Sequence, residues 1–162
     1  MQQAWKEGGG WNTPLGDELS RAAEDWWGEA ETIEQLKYER WLKATPGESY
    51  SLRTFTDASE VAYGACVYLV SSEQSALICD KPKVAPVKLQ TLARLEMQVT
   101  FLCSAAVVFV CKGFRVKIDH VHAWTDRATV WHLLQRPAYY WKTCVANRVA
   151  SIQESSQMYN VV

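Results

Sequence analysis

The chain has 162 residues, of which 48% are apolar and 22% charged, and its formal net charge is −1. That length holds one domain with a core of its own plus an appendage rather than two full domains, and the composition excludes a disordered tail. A near-neutral chain is not a nucleic-acid binder that works by bulk positive charge, although a local basic groove stays open.

The start, Met1 to Gly10, carries no apolar stretch of the kind that directs secretion. Acidic residues and tryptophans are interleaved from Trp5 to Trp41, with Gly8-Gly9-Gly10 and Pro46-Gly47 as loop punctuation. Between these, Asp17 to Leu42 reads as helical on the spacing of Leu19, Ala23, Trp26, Trp27, Ile33 and Leu36, with Asn12-Thr13-Pro14 at its start. Residues 1–50 are expected to form a connector that packs against something.

From Tyr50 the periodicity changes. Ser51–Ser59, Val61–Val70 and Ser75–Val84 are predicted as three strands in an antiparallel meander, with a bulge or a very tight hairpin around Ser59 to Tyr63. Thr91 is a good N-cap for a helix with Leu92, Leu95, Val99, Leu102, Ala106 and Val110 on its apolar face, and Gly113 supplies the stop. Within it, the apolar run from Val99 to Cys111 is shorter than the ~20 residues that cross a bilayer, so a buried helix is expected. Arg115–Asp126 returns to a strand, Ala128–Leu134 is a short helix before Pro137, Trp141–Glu154 is a last helix, and Met158–Val162 begins a further strand. The order predicts an α/β domain with a mixed sheet flanked by helices.

The five cysteines, Cys66, Cys79, Cys103, Cys111 and Cys144, have no metal-ligand spacing and are odd in number, which suits reduced thiols in apolar surroundings inside a cell. His120 and His122 form an HxH pair without further ligands at a usual spacing and read as strand surface residues, and His132 as a packing or surface residue. The tryptophans read as core and interface residues.

Three acids stand apart. Asp57 closes the strand run Thr54-Phe55-Thr56-Asp57, and Asp126 ends Ala123-Trp124-Thr125-Asp126. Glu96, in Arg94-Leu95-Glu96-Met97, falls on the apolar side of its helix, where a charge needs a partner. Each has an ordinary alternative: an ion pair of Glu96 with Arg94 or Lys88, a helix cap for Asp126, a turn for Asp57. Together they suggest a divalent cation site for phosphodiester hydrolysis, in which magnesium takes carboxylate oxygens and two ions about 4 Å apart serve the attacking and leaving oxygens.

With these residues in place, the chain resembles the ribonuclease H domain of the BEL/Pao class of LTR retrotransposon polyproteins. The resemblance runs through Phe55-Thr56-Asp57-Ala58-Ser59, Ala62-Tyr63-Gly64-Ala65, Val84-Ala85-Pro86-Val87-Lys88, Arg94-Leu95-Glu96, Trp124-Thr125-Asp126 and Trp141-Lys142-Thr143-Cys144-Val145-Ala146-Asn147-Arg148-Val149. The leading segment, with Trp5-Lys6, Trp11-Asn12-Thr13-Pro14-Leu15 and Arg40-Trp41-Leu42, is similar to the connector that follows reverse transcriptase there. The resemblance implies a ribonuclease H-like fold with a five-stranded mixed sheet, and cleavage of the RNA strand of an RNA-DNA hybrid. It implies Mg2+, with Mn2+ as an alternative, held by Asp57 as the ligand shared by two ions and by Glu96 and Asp126 as flanking ligands. The reverse transcriptase part of the same polyprotein is the implied partner, no membrane is expected, and the setting is cytoplasmic, in a virus-like particle, or nuclear.

The chain departs from the family pattern at three places. Arg127 stands where the pattern has Ser after the third acid, as a cation able to compete with metal or hold a phosphate, and Ala93 replaces Pro before Arg-Leu-Glu. The sequence also stops at Val162, within the expected fifth strand and before the segment that carries a fourth acid. The domain at 51–162 is therefore expected to be C-terminally incomplete and weak or inactive alone. The rivals are a catalytically dead fold serving as a protein interaction module, and an integrase-type core, for which Glu154 is the only late acid and has no supporting motif.

Overall fold

The computed structural model describes residues 2–6, 10–37, 45 and 47–159. The chain divides into two compact units, Met1–Lys43 and Ala44–Val162.

The first unit contains helix α1 (Gln2–Lys6) and helix α2 (Asp17–Glu31), followed by a 3-10 turn, Thr32–Gln35. Helix α2 begins at Gly16 rather than at the Asn12-Thr13-Pro14 step, which lies in a turn where Thr13 N donates to Gly10 O. Asp17 and Glu18 in its first turn favour the start electrostatically. The helical run ends earlier than its periodicity suggests; the expectation for residues 38–42 lies outside the described residues, as do Arg40, Trp41 and Leu42. No residue of α2 is buried, and Trp26 and Trp27 present their rings to solvent 5.9 Å apart.

The second unit is built on strands β1 (Tyr50–Ala58), β2 (Ala62–Val70), β3 (Ser75–Val84) and β4 (Ile118–Thr125), in the order β3-β2-β1-β4. β1 pairs antiparallel with β2 and parallel with β4. The tight link is a hairpin closed by Ser59, whose N and Oγ both donate to Ala62 O while its Oγ accepts from Ala62 N. Leu52, Thr54, Thr56 and Ala58 of β1 turn inward, with Arg53, Phe55 and Asp57 on the outward face, as the two-residue period requires. At the β3 edge of the sheet, Asp80, Lys81, Pro82 and Lys83 discourage further pairing.

Helix α3 (Leu92–Gly113) covers the sheet. Leu95, Val99 and Cys103 pack on Ala58, Ala65 and Ala85. Met97 joins Val130 of α4 (Ala128–Leu134) and Val149 and Ile152 of α5 (Thr143–Met158) in a second cluster. By length and composition α3 would suffice to cross a bilayer, but Leu95, Val99, Cys103, Val107 and Val110 are core residues of this unit. Thr91 is its N-cap by position, without a side-chain capping bond, and Gly113 is its last residue.

The mixed sheet with flanking helices is as expected. Four strands are present among the described residues, so the fifth has no counterpart there. Met158, read as opening it, is the last residue of α5, and residues 160–162 lie outside the described residues. Two further expectations are corrected. Only Cys103 of the five cysteines is buried, and Cys144 is exposed. Among the tryptophans whose side chains are described, none is a core residue: Trp11, Trp26, Trp27, Trp124 and Trp131 are exposed and Trp141 is half-buried beside the α5 cluster.

Candidate metal centre

The parallel pairing of β1 with β4 brings two of the acids together. The last register pair is Thr56 with Thr125, so Asp57 and Asp126 follow side by side at the carboxyl ends of adjacent parallel strands. Asp57 lies within β1 opposite Gly64, so the turn role falls to Ser59 instead. Gly64 places no side chain beside the Asp57 carboxylate. The N-cap position of α4 belongs to Arg127, so Asp126 does not cap that helix.

Glu96 is held by α3 between its neighbours Leu95 and Met97, which pack on the sheet and on α4 and α5 respectively. That position leaves it 2% exposed. Its partner is neither Arg94 nor Lys88 but Arg127, whose Nε forms an ion pair with Glu96 Oε1 at 3.0 Å and stands 4.0 Å from Asp126 Oδ2. The other carboxylate oxygen, Oε2, is buried without a hydrogen-bond partner. Burial pushes the Glu96 carboxyl above its ordinary range; Arg127 pulls it back, and the charges of Asp126 and Asp57 push it up again. Asp57 and Asp126 therefore both act electrostatically on Glu96, although the three come from β1, the end of β4 and α3.

These residues fit a hard cation. A buried carboxylate oxygen with nothing to accept from, beside two further carboxylates, has the donor chemistry that divalent magnesium or manganese takes. Among the described residues, no three His, Cys, Asp or Glu groups stand close enough together to hold an ion as they are. His120 and His122 sit on the outward sheet face with their rings 6.2 Å apart, and His122 stacks on Trp124, which stacks in turn on Phe55. His132 is exposed on α4.

A family model for the Pao retrotransposon-like RNaseH-like domain matches residues 1–127. The chain belongs to that family. The match takes in all three acids of this Pao-type domain and ends on Arg127 itself. Solved structures similar to it include RNase H1 from Halobacterium salinarum, at 13% identity and a TM-score of 0.45, over 70% of this chain and 80% of that one. The N-terminal RNase H domain of a Mycobacterium tuberculosis protein follows at 9% identity and 0.46, over 71% and 78%. The prototype foamy virus protease-reverse transcriptase is 12% identical with a TM-score of 0.49, over 78% of this chain and 19% of that one. No curated protein matches the sequence.

Two features of the site had little signal in the sequence. Arg127 stood out as a cation beside Asp126, but its pairing with Glu96, 31 positions away in the chain, depends on how α3 crosses the end of β4. Behind the acids, a cavity of about 630 Å³ lies between the sheet and the helices, lined by Thr56 and Thr125, which precede Asp57 and Asp126, and by Thr54, Val130, Arg136 and Gln153. It exists only because three helices close over two parallel strands.

Proposed function

We propose that this Pao-type domain hydrolyses the RNA strand of RNA-DNA hybrids, with Asp57, Glu96 and Asp126 as ligands of divalent metal, magnesium or manganese. The observation that carries this reading is Glu96, a buried carboxylate with one unpartnered oxygen, kept among the charges of two other acids at the carboxyl ends of β1 and β4. A buried charge is costly unless something compensates it, and Arg127 engages only one of its two oxygens. Bound divalent metal supplies Lewis acidity toward a phosphodiester and its attacking water at neutral pH.

The chain's own residues set up the rest. Asp57 and Asp126 are exposed and within reach of a backbone phosphate, while Glu96 anchors the site from inside, where α3 cannot shift without disturbing the core. A hybrid would be recognised through its backbone and 2′-hydroxyls with little base readout. We place residues 1–50 as the connector from a reverse transcriptase in the same polyprotein, and the domain works inside the cell.

Incubation with a labelled hybrid and Mg2+ or Mn2+ tests the reading. Shortening of the RNA that Asp57→Asn abolishes supports it; cleavage indifferent to that substitution contradicts it. One observation favours a second reading, a non-catalytic interaction module: Arg127 already engages the acids. Such a module would show no metal binding that depends on the three carboxylates.

A further inference from the structure

Arg127 stands against two of the three acids. Its Nε reaches both Glu96 Oε1, at 3.0 Å, and Asp126 Oδ2, at 4.0 Å, so one guanidinium spans two of the three acids. The two partners differ in freedom. Glu96 is fixed on α3 with its side chain 3% exposed, whereas half of the Arg127 side chain faces solvent. Arg127 follows β4 directly and holds the N-cap position of α4 in an extended conformation, φ −114° and ψ 123°, without bonding the helix end. Among the described residues, the two carboxylates are the groups that hold its guanidinium, and half of the side chain is open to water.

We propose that Arg127 is a built-in counter-cation of the acid cluster, and that a divalent ion takes Glu96 together with Asp126 only when the guanidinium leaves. The proposal rests on the metal reading above and adds a competition to it. With Arg127 in place, the free Glu96 oxygen is a lone donor, and no three acids converge among the described residues. A divalent ion entering beside the guanidinium would meet like charge at short range, in a setting where one carboxylate is cut off from solvent screening. One site cannot hold both cations, so whatever strengthens the ion pair weakens metal binding by the same factor. The pair steadies the metal-free fold, because without it Glu96 would be a buried carboxylate with no partner on either oxygen. Metal binding then exchanges one cation for another rather than filling a vacant charge cluster.

Calorimetric titration of the full chain with MgCl2 and with MnCl2, for the wild type, Arg127→Ser and Arg127→Lys, tests this, alongside thermal melts in chelator. Arg127→Ser should bind metal at least about tenfold more tightly than the wild type, since the ion pair with a buried carboxylate no longer has to be broken. Arg127→Lys, which keeps the charge without the guanidinium fork, should fall between them, and both variants should melt below the wild type without metal. In the wild type, the Arg127 Nε–H resonance should move toward that of a free arginine as metal is added, a readout that does not require any variant to fold. Equal or weaker metal binding in Arg127→Ser, or an Arg127 resonance unmoved at metal saturation, overturns the competition while leaving the metal site standing. Absence of metal binding in the wild type and in Arg127→Ser alike overturns the metal reading and the competition together.

Discussion

Glu96 shows what burial does to a single group. Its folded carboxyl sits above the ordinary glutamate range because burial disfavours the charge, more than Arg127 favours it, with Asp126 and Asp57 adding to the rise. A raised folded value means stability that is fully present below the unfolded value and is lost as pH rises through the folded one. The metal-free chain should therefore lose melting temperature as pH rises from the ordinary glutamate range toward neutrality, and Glu96→Gln should flatten that fall. Melts over a pH series in chelator check it; an identical slope in the variant would speak against a strained Glu96. The thiols separate in the same way. Burial raises the Cys103 thiol, and Cys144 is exposed, so iodoacetamide should modify Cys144 in the native chain and reach Cys103 only after denaturation, as peptide mass mapping would show. The helical period alone placed Glu96 on the apolar side of its helix. It could not select Arg127 over Arg94 or Lys88, because residues close in sequence to Glu96 are reachable on paper, whereas Arg127 arrives only through the β4–α4 junction.

The elements differ in how much of their shape was legible. β3 matches its predicted bounds, Ser75–Val84, and so does α4, Ala128–Leu134, because each lies between strong punctuation: polar turns before β3, Pro86 after it, and Pro137 beyond α4. β4 was predicted to start at Arg115 and starts at Ile118, since pairing with β1 begins only at Tyr50 opposite Ile118. α5 runs to Met158 rather than Glu154, and Ser155 and Ser156 bond back to the Ser151 and Ile152 carbonyls within the helix. The tryptophans of α2 read as core or interface residues, and within their own unit a helix that buries nothing leaves them exposed. Substitution should reproduce this contrast in chemical denaturation. Leu95→Ala, at a position 1% exposed between helix and sheet, should cost about 2–5 kcal/mol, and Trp26→Ala should stay within about 0.5 kcal/mol of the wild type. A large loss from Trp26→Ala would mean that α2 is covered in solution.

For the molecule as a whole, chain order predicted the mixed sheet: three strands joined by short links form a meander, and a helix long enough to cover it returns the chain to a parallel neighbour of β1. That single parallel pairing sets Asp57 beside Asp126, and the covering helix brings Glu96 within the electrostatic influence of both. The strand ends that carry Asp57 and Asp126 and the helix that carries Glu96 were readable from motif and period, while the cavity behind them and the cation already among them depend on tertiary packing that no local pattern encodes. A strand-resolved cleavage assay decides whether the proposed metal site at these acids is hydrolytic. RNA and DNA strands of one hybrid, carrying different labels, are incubated with the full chain and Mn2+, then with its Asp57→Asn and Asp126→Asn variants, with a chelator control. The RNA strand alone should be cut, only with metal, and either substitution should lower the rate by at least about a hundredfold. An RNA strand left whole by the wild type at every metal concentration, or one cut equally well by Asp57→Asn, would contradict a hydrolytic site there.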